Sequence, residues 1–373
     1  MQLYLHIPFC KSKCAYCDFN SYACKDEALI LHYLTALNHE ISLAGKRFAK
    51  AKTDTVYIGG GTPSALDENK ISSVFNALEN AFDLSFVKEF SIECNPESIT
   101  AEKLALYKKH GVNRISIGVQ SLSDENLKVI GRLHDANTAI EKIKLAKEFF
   151  DNVSCDLIIG LPFDTVDGVR EEVRALCPLV EHISMYELSI EKGTRLERMI
   201  QNGKVVLPSD DDTQTLFDTA FDEAEKLGFK RYEVSNFAKN GKISLHNFGY
   251  WTREEYLGLG AGAHSLVKTI DGEKRLESET RYANFSKLAE YCAAVERKED
   301  YKDIVRESVE TLTEKDVKNE TIMLGLRTHT GINKDLLGKI DDRLSVFFEE
   351  QDGKVRLTRD GVAVMNSILV EIL

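Results

Sequence analysis

The sequence contains no apolar run that approaches the roughly 20 residues of a membrane-spanning helix. Its first residues lack the basic and apolar segments of a secretory signal, so we predict a cytoplasmic protein. Basic residues are outnumbered, with 48 Lys and Arg against 60 Asp and Glu, and the net charge is -12. This balance argues against nucleic acid as a partner, because phosphate backbones are bound mainly by positive charge.

The eight cysteines do not suggest a disulfide framework, which would be unusual in a cytoplasmic chain of this size. Thiols or metal ligands are the expected roles. Cys10, Cys14 and Cys17 lie close together in CKSKCAYC, whereas the other five are scattered. Two of the scattered cysteines, Cys94 and Cys155, lie in apolar strand patterns and are expected to be small buried hydrophobes.

Short apolar runs alternate with longer segments of helical periodicity. Six runs are predicted strands: LYLHI at 3–7, TVYIGG at 55–60, EFSIECN at 89–95, RISIGVQ at 114–120, VSCDLIIGLP at 153–162 and HISMYELSI at 182–190. Asp67 and Thr100 are predicted caps of two intervening helices. The alternation predicts an α/β fold whose parallel sheet forms a partial or complete (β/α) barrel.

The chain is predicted to contain three regions. Residues 1–267 form the barrel core, which ends with a helix at 209–228, a strand at 231–237 and later segments. Residues 268–303 are charged and irregular, and are predicted to be a boundary. Residues 304–373 are predicted to form a small helical or winged-helix-like domain with two helices, a strand at 354–358 and a closing helix.

Three thiolates at CxxxCxxC spacing can hold an iron–sulfur cluster, because cysteine is the usual ligand of such clusters. Three ligands leave one iron with an open position, which is typical of reactive metal sites. The alternative is a zinc loop, but no fourth Cys or His lies at a usual zinc spacing. His6, just before the loop, remains a further candidate ligand.

Polar residues and glycines mark the carboxyl ends of four consecutive predicted strands. GGGTPS at 59–64 follows the second strand, and its glycines would let the backbone approach a ligand and offer it amides. Glu93, Gln120 and Asp156 occupy the next three strands. Buried carboxylates need partners, and Arg114 or Arg132 could serve in ordinary barrel packing. Active sites of parallel barrels lie at this rim, however, so a binding site is favoured.

These motifs resemble a known superfamily. CKSKCAYC resembles the signature of radical S-adenosylmethionine (SAM) proteins. HIPFC, GGGTPS, ECNP, IGVQS and DLIIGLP together resemble the branch that contains the oxygen-independent coproporphyrinogen III dehydrogenases and the haem chaperones of the HemW family. The resemblance extends over residues 1 to 265, and the C-terminal segment resembles the small final domain of that branch.

The resemblance implies a [4Fe-4S] cluster held by Cys10, Cys14 and Cys17. In this superfamily S-adenosyl-L-methionine chelates the free iron, and an electron from the cluster cleaves it to a 5′-deoxyadenosyl radical and methionine. The residues implied to contact SAM or lie beside the cluster are Tyr4, Gly60, Gly61, Thr62, Glu93, Gln120, Arg132 and Asp156.

Two features favour the chaperones within this branch. The dehydrogenases carry a further cysteine where this chain has Phe19, and they have an N-terminal extension where this chain has only nine residues before Cys10. In addition, SLHNFGYW at 244–251 resembles the HNxxYW motif of the chaperones. The haem-contacting residues implied by that motif are His246, Asn247, Tyr250 and Trp251.

An imidazole can ligate haem iron and aromatic side chains can cover a porphyrin, so the motif is chemically suitable. His246 is the expected axial ligand, with packing at the barrel end as the alternative. His264 is a second candidate, for which a structural role is favoured.

The predicted function is that of a haem chaperone, which carries haem as cargo and transfers it to apo-haemoproteins. The family implies homodimerisation and clients that include membrane-bound respiratory proteins. The alternatives are a coproporphyrinogen III dehydrogenase, which oxidatively decarboxylates two propionates, and a radical SAM enzyme for another substrate.

Overall fold

A computed structural model describes residues 1–49, 51–270, 276–338 and 340–373. Strands and helices are numbered along the chain. The strands are β1 (Gln2–Ile7), β2 (Phe9–Cys10), β3 (Tyr22–Ala23), β4 (Thr55–Gly60), β5 (Glu89–Cys94), β6 (Arg114–Gln120), β7 (Asn152–Ile159), β8 (His182–Glu187), β9 (Lys230–Arg231), β10 (Asn236–Ala238), β11 (Tyr256–Leu259), β12 (His264–Ile270), β13 (Leu276–Ala283), β14 (Ser308–Thr311), β15 (Ile332–Asn333), β16 (Phe348–Gln351) and β17 (Lys354–Leu357).

Helices lie between most of these strands. They are α1 (Glu27–Arg47), α2 (Glu68–Ala81), α3 (Ala101–Lys109), α4 (Asp124–Ile130), α5 (Ala136–Phe149), α6 (Val166–Leu176), α7 (Arg195–Gln201), α8 (Asp210–Lys226), α9 (Leu245–Trp251), α10 (Leu288–Val295), α11 (Glu314–Gly325), α12 (Arg359–Ala363) and α13 (Met365–Ile372). No helix within the described ranges combines the length and apolar character needed to cross a membrane.

The central sheet has the order β14-β13-β12-β11-β1-β4-β5-β6-β7-β8-β10-β9. The strands from β11 to β8 in this order run parallel, whereas antiparallel strands extend both sides. Among the described strands, the edge strands β14 and β9 do not pair with each other. The predicted parallel α/β sheet is therefore confirmed in its partial-barrel form.

Each parallel strand alternates between an apolar outer face and a polar inner face. In β6, Ile115 and Ile117 belong to the core beneath the helices, while Arg114, Ser116 and Gly118 line an internal cavity. Parallel strands are usually apolar on both faces. The alternation in this chain therefore creates a polar interior that can receive ligands.

Local sequence signals set several helix starts as predicted. The Asp67 side chain accepts a hydrogen bond from Lys70 N at α2, and the Thr100 side chain accepts one from Lys103 N at α3. Ser209 caps α8 by accepting from Asp212 N. Cys94 and Cys155 are buried, at 3% and 0% exposure, which confirms their prediction as small core residues.

The segment expected to be an irregular boundary contains regular structure where it is described. It holds the end of β12, all of β13 and α10, and residues of α10 pack in the main core. Residues 271–275 lie outside the described residues. The division of the chain at residues 267 and 303 stays a prediction.

A buried carboxylate connects this segment to the barrel. Glu40 of α1, at 0% exposure, accepts hydrogen bonds from Gly260 N at 2.9 Å, Asn284 Nδ2 at 3.0 Å and Tyr291 Oη at 2.8 Å. Arg306 Nη1 completes the shell at 2.9 Å. Glu40 thus connects α1 to residues 260–306, which are more than 200 positions away in the sequence.

The C-terminal segment has a small sheet in the order β15-β17-β16 and its own apolar cluster. Three details differ from the sequence-based expectation. KDLLGKI forms a single 3₁₀ turn at Lys334–Leu336 in its described part, the closing helix is divided into α12 and α13, and the strand expected at 231–237 is the short antiparallel pair β9 and β10. Lys339 lies outside the described residues.

Replacing Glu40 by Leu should lower the free energy of unfolding by roughly 3–5 kcal/mol, because it leaves the Arg306 charge buried without its partner. Urea denaturation measures this change. The control is Glu27→Leu on the same helix, whose carboxylate is exposed and pairs with Lys70 at 2.6 Å. The control should change stability by less than about 1 kcal/mol. Equal unfolding midpoints for the two variants would contradict the role of Glu40.

Candidate functional site

The cysteine loop is held at both its base and its centre. Pairing of β2 with β3 closes the base. At the centre, Ala15 N donates to the Ile130 carbonyl at 2.7 Å, and the Ala15 carbonyl accepts from Leu196 N at 2.8 Å. Lys13 Nζ also donates to the Phe19 carbonyl within the loop, at 3.2 Å. These bonds fix the loop beside the carboxyl ends of the parallel strands.

Each of the three clustered sulfurs has a polar neighbour. Thr62 Oγ1 donates to Cys10 Sγ at 3.4 Å, and Arg132 Nη1 donates to Cys14 Sγ at 3.4 Å. Cys17 Sγ lies 3.6 Å from the Ser21 hydroxyl. Burial raises the pKa of Cys10, and the hydrogen bond from Thr62 offsets part of this effect. The thiolate is the form that ligates metal.

One cavity of about 590 Å³ collects nearly all the candidate residues. It is lined by the three cysteines, by every residue implied to contact SAM and by three residues of the HNxxYW motif: Cys10, Cys14, Cys17, Tyr4, Gly60, Gly61, Thr62, Glu93, Gln120, Arg132, Asp156, His246, Asn247 and Tyr250. Trp251, the last residue of α9, does not line this cavity. The implied haem contact of Trp251 stays a prediction without support from the cavity.

The glycine turn after β4 serves close packing. Gly60 has φ of +114°, and a Cβ there would lie 2.5 Å from the His6 ring. Its amide donates to Glu93 Oε2 at 3.0 Å, while the amides of Gly61 and Thr62 donate to carbonyls of β1 and β2 at 2.9 Å. The expectation that these amides would face a ligand is therefore wrong, because the protein's own acceptors use them.

Glu93 lies at the wall of the cavity in a poorly solvated position. Its carboxylate also accepts a hydrogen bond from Tyr57 Oη at 2.8 Å. Burial, reinforced by the charge of Asp156, raises the pKa of Glu93 to about 7. Burial likewise raises the pKa of Asp156. A bound ligand with hydrogen-bond donors or positive charge would stabilise the ionised form of these two carboxyl groups.

The end of β6 is arranged around Arg132. Its Nη2 donates to Asn95 Oδ1 at 2.8 Å and to the Gly118 carbonyl. A Cβ at Gly118 would lie 3.3 Å from that nitrogen, so the glycine leaves room for the guanidinium. Gln120 follows with φ of +71°, an uncommon conformation for a residue other than glycine. Strained backbone of this kind is concentrated at binding sites.

The His6 ring is already fully hydrogen-bonded. Its Nε2 lies 2.8 Å from the Asn20 carbonyl, an acceptor, so Nε2 must carry the proton. Nδ1 then accepts from Tyr4 Oη at 3.0 Å. This arrangement uses both nitrogens, so His6 is a positioning residue here and not a free metal ligand.

His246 occupies the floor of the barrel. Its side chain is 0% exposed, with Nδ1 2.8 Å from Thr55 Oγ1 and Nε2 2.9 Å from Tyr250 Oη. Burial, followed by the charge of Arg114, lowers the pKa of His246 to about 3. Its backbone amide donates to Glu89 at 3.2 Å. Because both ring nitrogens have partners, haem ligation by His246 would require one of these two hydrogen bonds to break.

The cavity lining also includes residues that were not predicted as binding residues from the sequence, among them Tyr16, Tyr57, Asn95 and Arg114. Asn95 bridges Thr62 Oγ1 at 3.1 Å and Arg132. Arg114 is 1% exposed, and its Nε and Nη1 have no hydrogen-bond partner among the described residues. Polar residues at alternate positions of otherwise apolar strands were the available signal for Tyr57 and Arg114.

Comparisons with known proteins agree with this geometry. Residues 4–176 match the model of the Radical SAM superfamily. The heme chaperone HemW of Bacillus subtilis (strain 168) is 34% identical over 335 residues, which are 89% of this chain and 84% of that protein. The chain belongs to the HemW family of radical SAM proteins. The predicted family is thereby confirmed, and the superfamily implies SAM and a [4Fe-4S] cluster as cofactors.

Two further relatives match most of this chain. The heme chaperone HemW of Escherichia coli (strain K12) is 36% identical over 76% of this chain and 74% of that protein. The mitochondrial radical S-adenosyl methionine domain-containing protein 1 of Bos taurus is 32% identical over 100% of this chain and 87% of that protein. Among solved structures, coproporphyrinogen III oxidase (HemN) from Escherichia coli has a TM-score of 0.82 and 21% identity, over 99% of this chain and 89% of that one. This likeness establishes the fold alone.

Replacing Glu93 by Gln should change how stability depends on pH in the chain without cofactors. Wild-type Glu93 stays protonated when folded up to a pKa of about 7, but ionises at about 4.3 when unfolded. Its contribution to stability is therefore full below about pH 4.3 and is lost as the pH rises to about 7.

Urea denaturation of wild type and Glu93→Gln at several pH values tests this. The stability of the variant relative to wild type should increase by about 2–3 kcal/mol between about pH 5 and about pH 8. Above about pH 8 the difference should be constant. A difference that is independent of pH throughout would contradict the raised pKa.

Proposed function

We propose that this chain is a haem chaperone that binds haem and a SAM-ligated [4Fe-4S] cluster and transfers haem to apo-haemoproteins. The observation that carries the proposal is membership of a family whose relatives are named heme chaperone HemW, over most of both chains. The cavity supports it by bringing the cysteine loop and part of the HNxxYW motif together.

The cysteine loop fits a cluster better than a single zinc ion. A tetrahedral zinc ion, with Zn–S bonds of about 2.3 Å, holds its sulfur ligands about 3.8 Å apart. Among the described residues, the one group of three metal-type ligands with donor atoms within 4.8 Å of one another is His32, Cys292 and Glu296. The loop cysteines are not such a group, so their wider arrangement favours a polynuclear centre.

The proposed cluster ligands are Cys10, Cys14 and Cys17. In this role the Arg132 guanidinium would offset negative charge at Cys14, and the Thr62 hydroxyl would donate a hydrogen bond to Cys10. Bound cluster and SAM would supply one-electron chemistry. The residues of the chain would bind and orient these groups and limit access of water.

The proposed SAM site occupies the rest of the same cavity. Glu93 offers an acceptor for an amino group, and Arg132 Nε, without a partner among the described residues, can donate to a carboxylate. Gly60 and Gly61 line the cavity, and their lack of a Cβ allows the turn to pack closely against His6 and Pro8. Gln120 and Asp156 supply further polar contacts from the neighbouring strand ends.

The proposed cargo is haem, and the proposed partners are apo-haemoproteins. Asn247 and Tyr250 of the HNxxYW motif line the same cavity as the cysteine loop. Clients that include membrane-bound respiratory proteins, a homodimeric state and a cytoplasmic location stay predictions. Coproporphyrinogen III dehydrogenase activity is the alternative, for which the HemN likeness offers the fold only.

Cys14→Ala should lose most of the iron and acid-labile sulfide of the anaerobically reconstituted chain, because the two remaining thiolates leave two of the four irons without a protein ligand. Iron and sulfide assays with absorbance near the cluster bands measure the loss. Cys24→Ala is the matched control, since Cys24 lies just beyond the loop and does not line the cavity. The same low content in wild type and Cys14→Ala would reject the proposed cluster.

Haem transfer should be direct. The haem-loaded chain is mixed with an apo-b-type cytochrome, and transfer is followed by absorbance at increasing acceptor concentrations. A chaperone that contacts its acceptor gives a rate that rises with acceptor concentration, whereas dissociation of free haem gives a constant rate. Haem-loaded serum albumin serves as the passive control. A rate that is constant for both donors would contradict the chaperone function.

A further inference from the structure

A second cavity, of about 540 Å³, adjoins the cysteine cavity. The two share a wall that includes Tyr4, Phe19, Glu93 and Tyr250. Its volume lies within the usual range of cofactor sites, about 300–1,000 Å³. Because the first cavity already contains the proposed cluster and SAM residues, the second offers separate space for a third large ligand.

Strand register places four side chains of different chemistry on one face of this cavity. Leu266 of β12 is paired with Tyr256 of β11 on one side and with Arg281 of β13 on the other. Directly paired residues point to the same face of a sheet, and so do residues two apart in a strand. His264, two residues before Leu266, therefore joins this row, and all four line the cavity.

His264 differs from the buried histidines near the site. Its side chain is exposed, and it makes no hydrogen bond to another described residue. In His6 and His246, by contrast, both ring nitrogens have partners. Of these three imidazoles, His264 is the one that can offer a nitrogen to a metal without breaking an existing bond.

The surroundings of His264 suit a flat, apolar macrocycle with anionic edges. Tyr250 and Tyr256 meet edge to face, with ring centroids 4.8 Å apart, and Leu324 of α11 adds an aliphatic surface. Arg281, with a side chain 32% exposed, pairs with Glu320 and more loosely with the exposed Glu310 at 3.6 Å. A propionate can replace the exposed carboxylate, since such surface pairs contribute little.

We propose that this second cavity is the haem groove and that His264 supplies the axial imidazole, while buried His246 positions Tyr250 in the shared wall. This inference rests on the proposed haem function. It assigns the ligand to β12, outside the HNxxYW motif, and places the porphyrin across the wall from the cysteine loop. Haem chemistry fits each part: imidazole for iron, aromatic surface for the ring, guanidinium for propionate.

The test is an anaerobic haem titration of the whole reconstituted chain, followed by absorbance and by electron paramagnetic resonance of the ferric form. Wild type should saturate near one haem per chain with an imidazole-ligated signature. His264→Ala should lose that signature and bind haem at least tenfold more weakly, and added imidazole should restore the signature. His32→Ala, which removes an exposed histidine on α1, should match wild type.

Two further variants separate the groove from its neighbours. His246→Ala should keep the imidazole signature, although its affinity can fall through displacement of Tyr250. Leu324→Trp should fill the groove and reduce haem uptake at least tenfold while leaving SAM binding, measured by calorimetry, unchanged. Unchanged SAM binding would show that Leu324→Trp is folded, so its loss of haem uptake would not be due to misfolding.

The outcomes are distinguishable. A His264→Ala variant with the spectrum and affinity of wild type overturns the assignment while the chaperone function stands. Loss of the imidazole signature in His246→Ala alone also overturns it and restores the buried histidine as ligand. Absence of saturable haem uptake by wild type overturns both the groove and the proposed function.

Discussion

The inner face of the parallel sheet sets the constraint on which the site depends. Apolar residues on the outer face pack against the helices, while the inner face carries hydroxyls, carboxylates, imidazoles and a guanidinium. Such groups destabilise a fold unless they are hydrogen-bonded. Two layers of contacts meet this need: Glu93 with Tyr57 and Gly60 at the rim, and Glu89 with α9 at the floor. The space between them remains polar and accessible.

The floor contacts explain why the HNxxYW segment lies where it does. Glu89 accepts the amides of Leu245 and His246 at the start of α9, at 2.7 Å and 3.2 Å. A carboxylate at a helix N-terminus is favourable because unpaired amides and the helix dipole are positive there. This contact turns His246 towards Thr55 and carries Tyr250 up into the wall of both cavities. The motif therefore helps to close the floor of the barrel through its hydrogen bonds to β4 and β5.

Much of the architecture follows from local sequence, but the partners within the site do not. Strand β6 was predicted with its observed limits, and the caps at Asp67 and Thr100 were identified, because alternation and capping are short-range signals. Residues 268–303 were predicted to be irregular because the sequence pattern does not show their contacts with distant residues, such as the hydrogen bonds from Asn284 and Tyr291 to Glu40. For the same reason the sequence could not indicate that the amides of the glycine turn were already occupied. Gly60, Glu93 and Gln120 come together because they lie at the carboxyl ends of neighbouring parallel strands, whereas Trp251, the last residue of α9, does not line the cavity.

The shared wall couples the two cavities physically. Tyr250 contacts His246 through its hydroxyl and packs edge to face on Tyr256, so movement of this one ring affects the floor of the barrel and the groove beside β12. Tyr4 has a similar position, because its hydroxyl donates to His6 and its ring faces both spaces. His6 in turn hydrogen-bonds to Asn20 in the cysteine loop. The cysteine loop is therefore joined to the groove by a short chain of hydrogen bonds and aromatic contacts. Contacts of this kind can couple two sites energetically only where they differ between two conformational states, because proximity alone does not produce coupling.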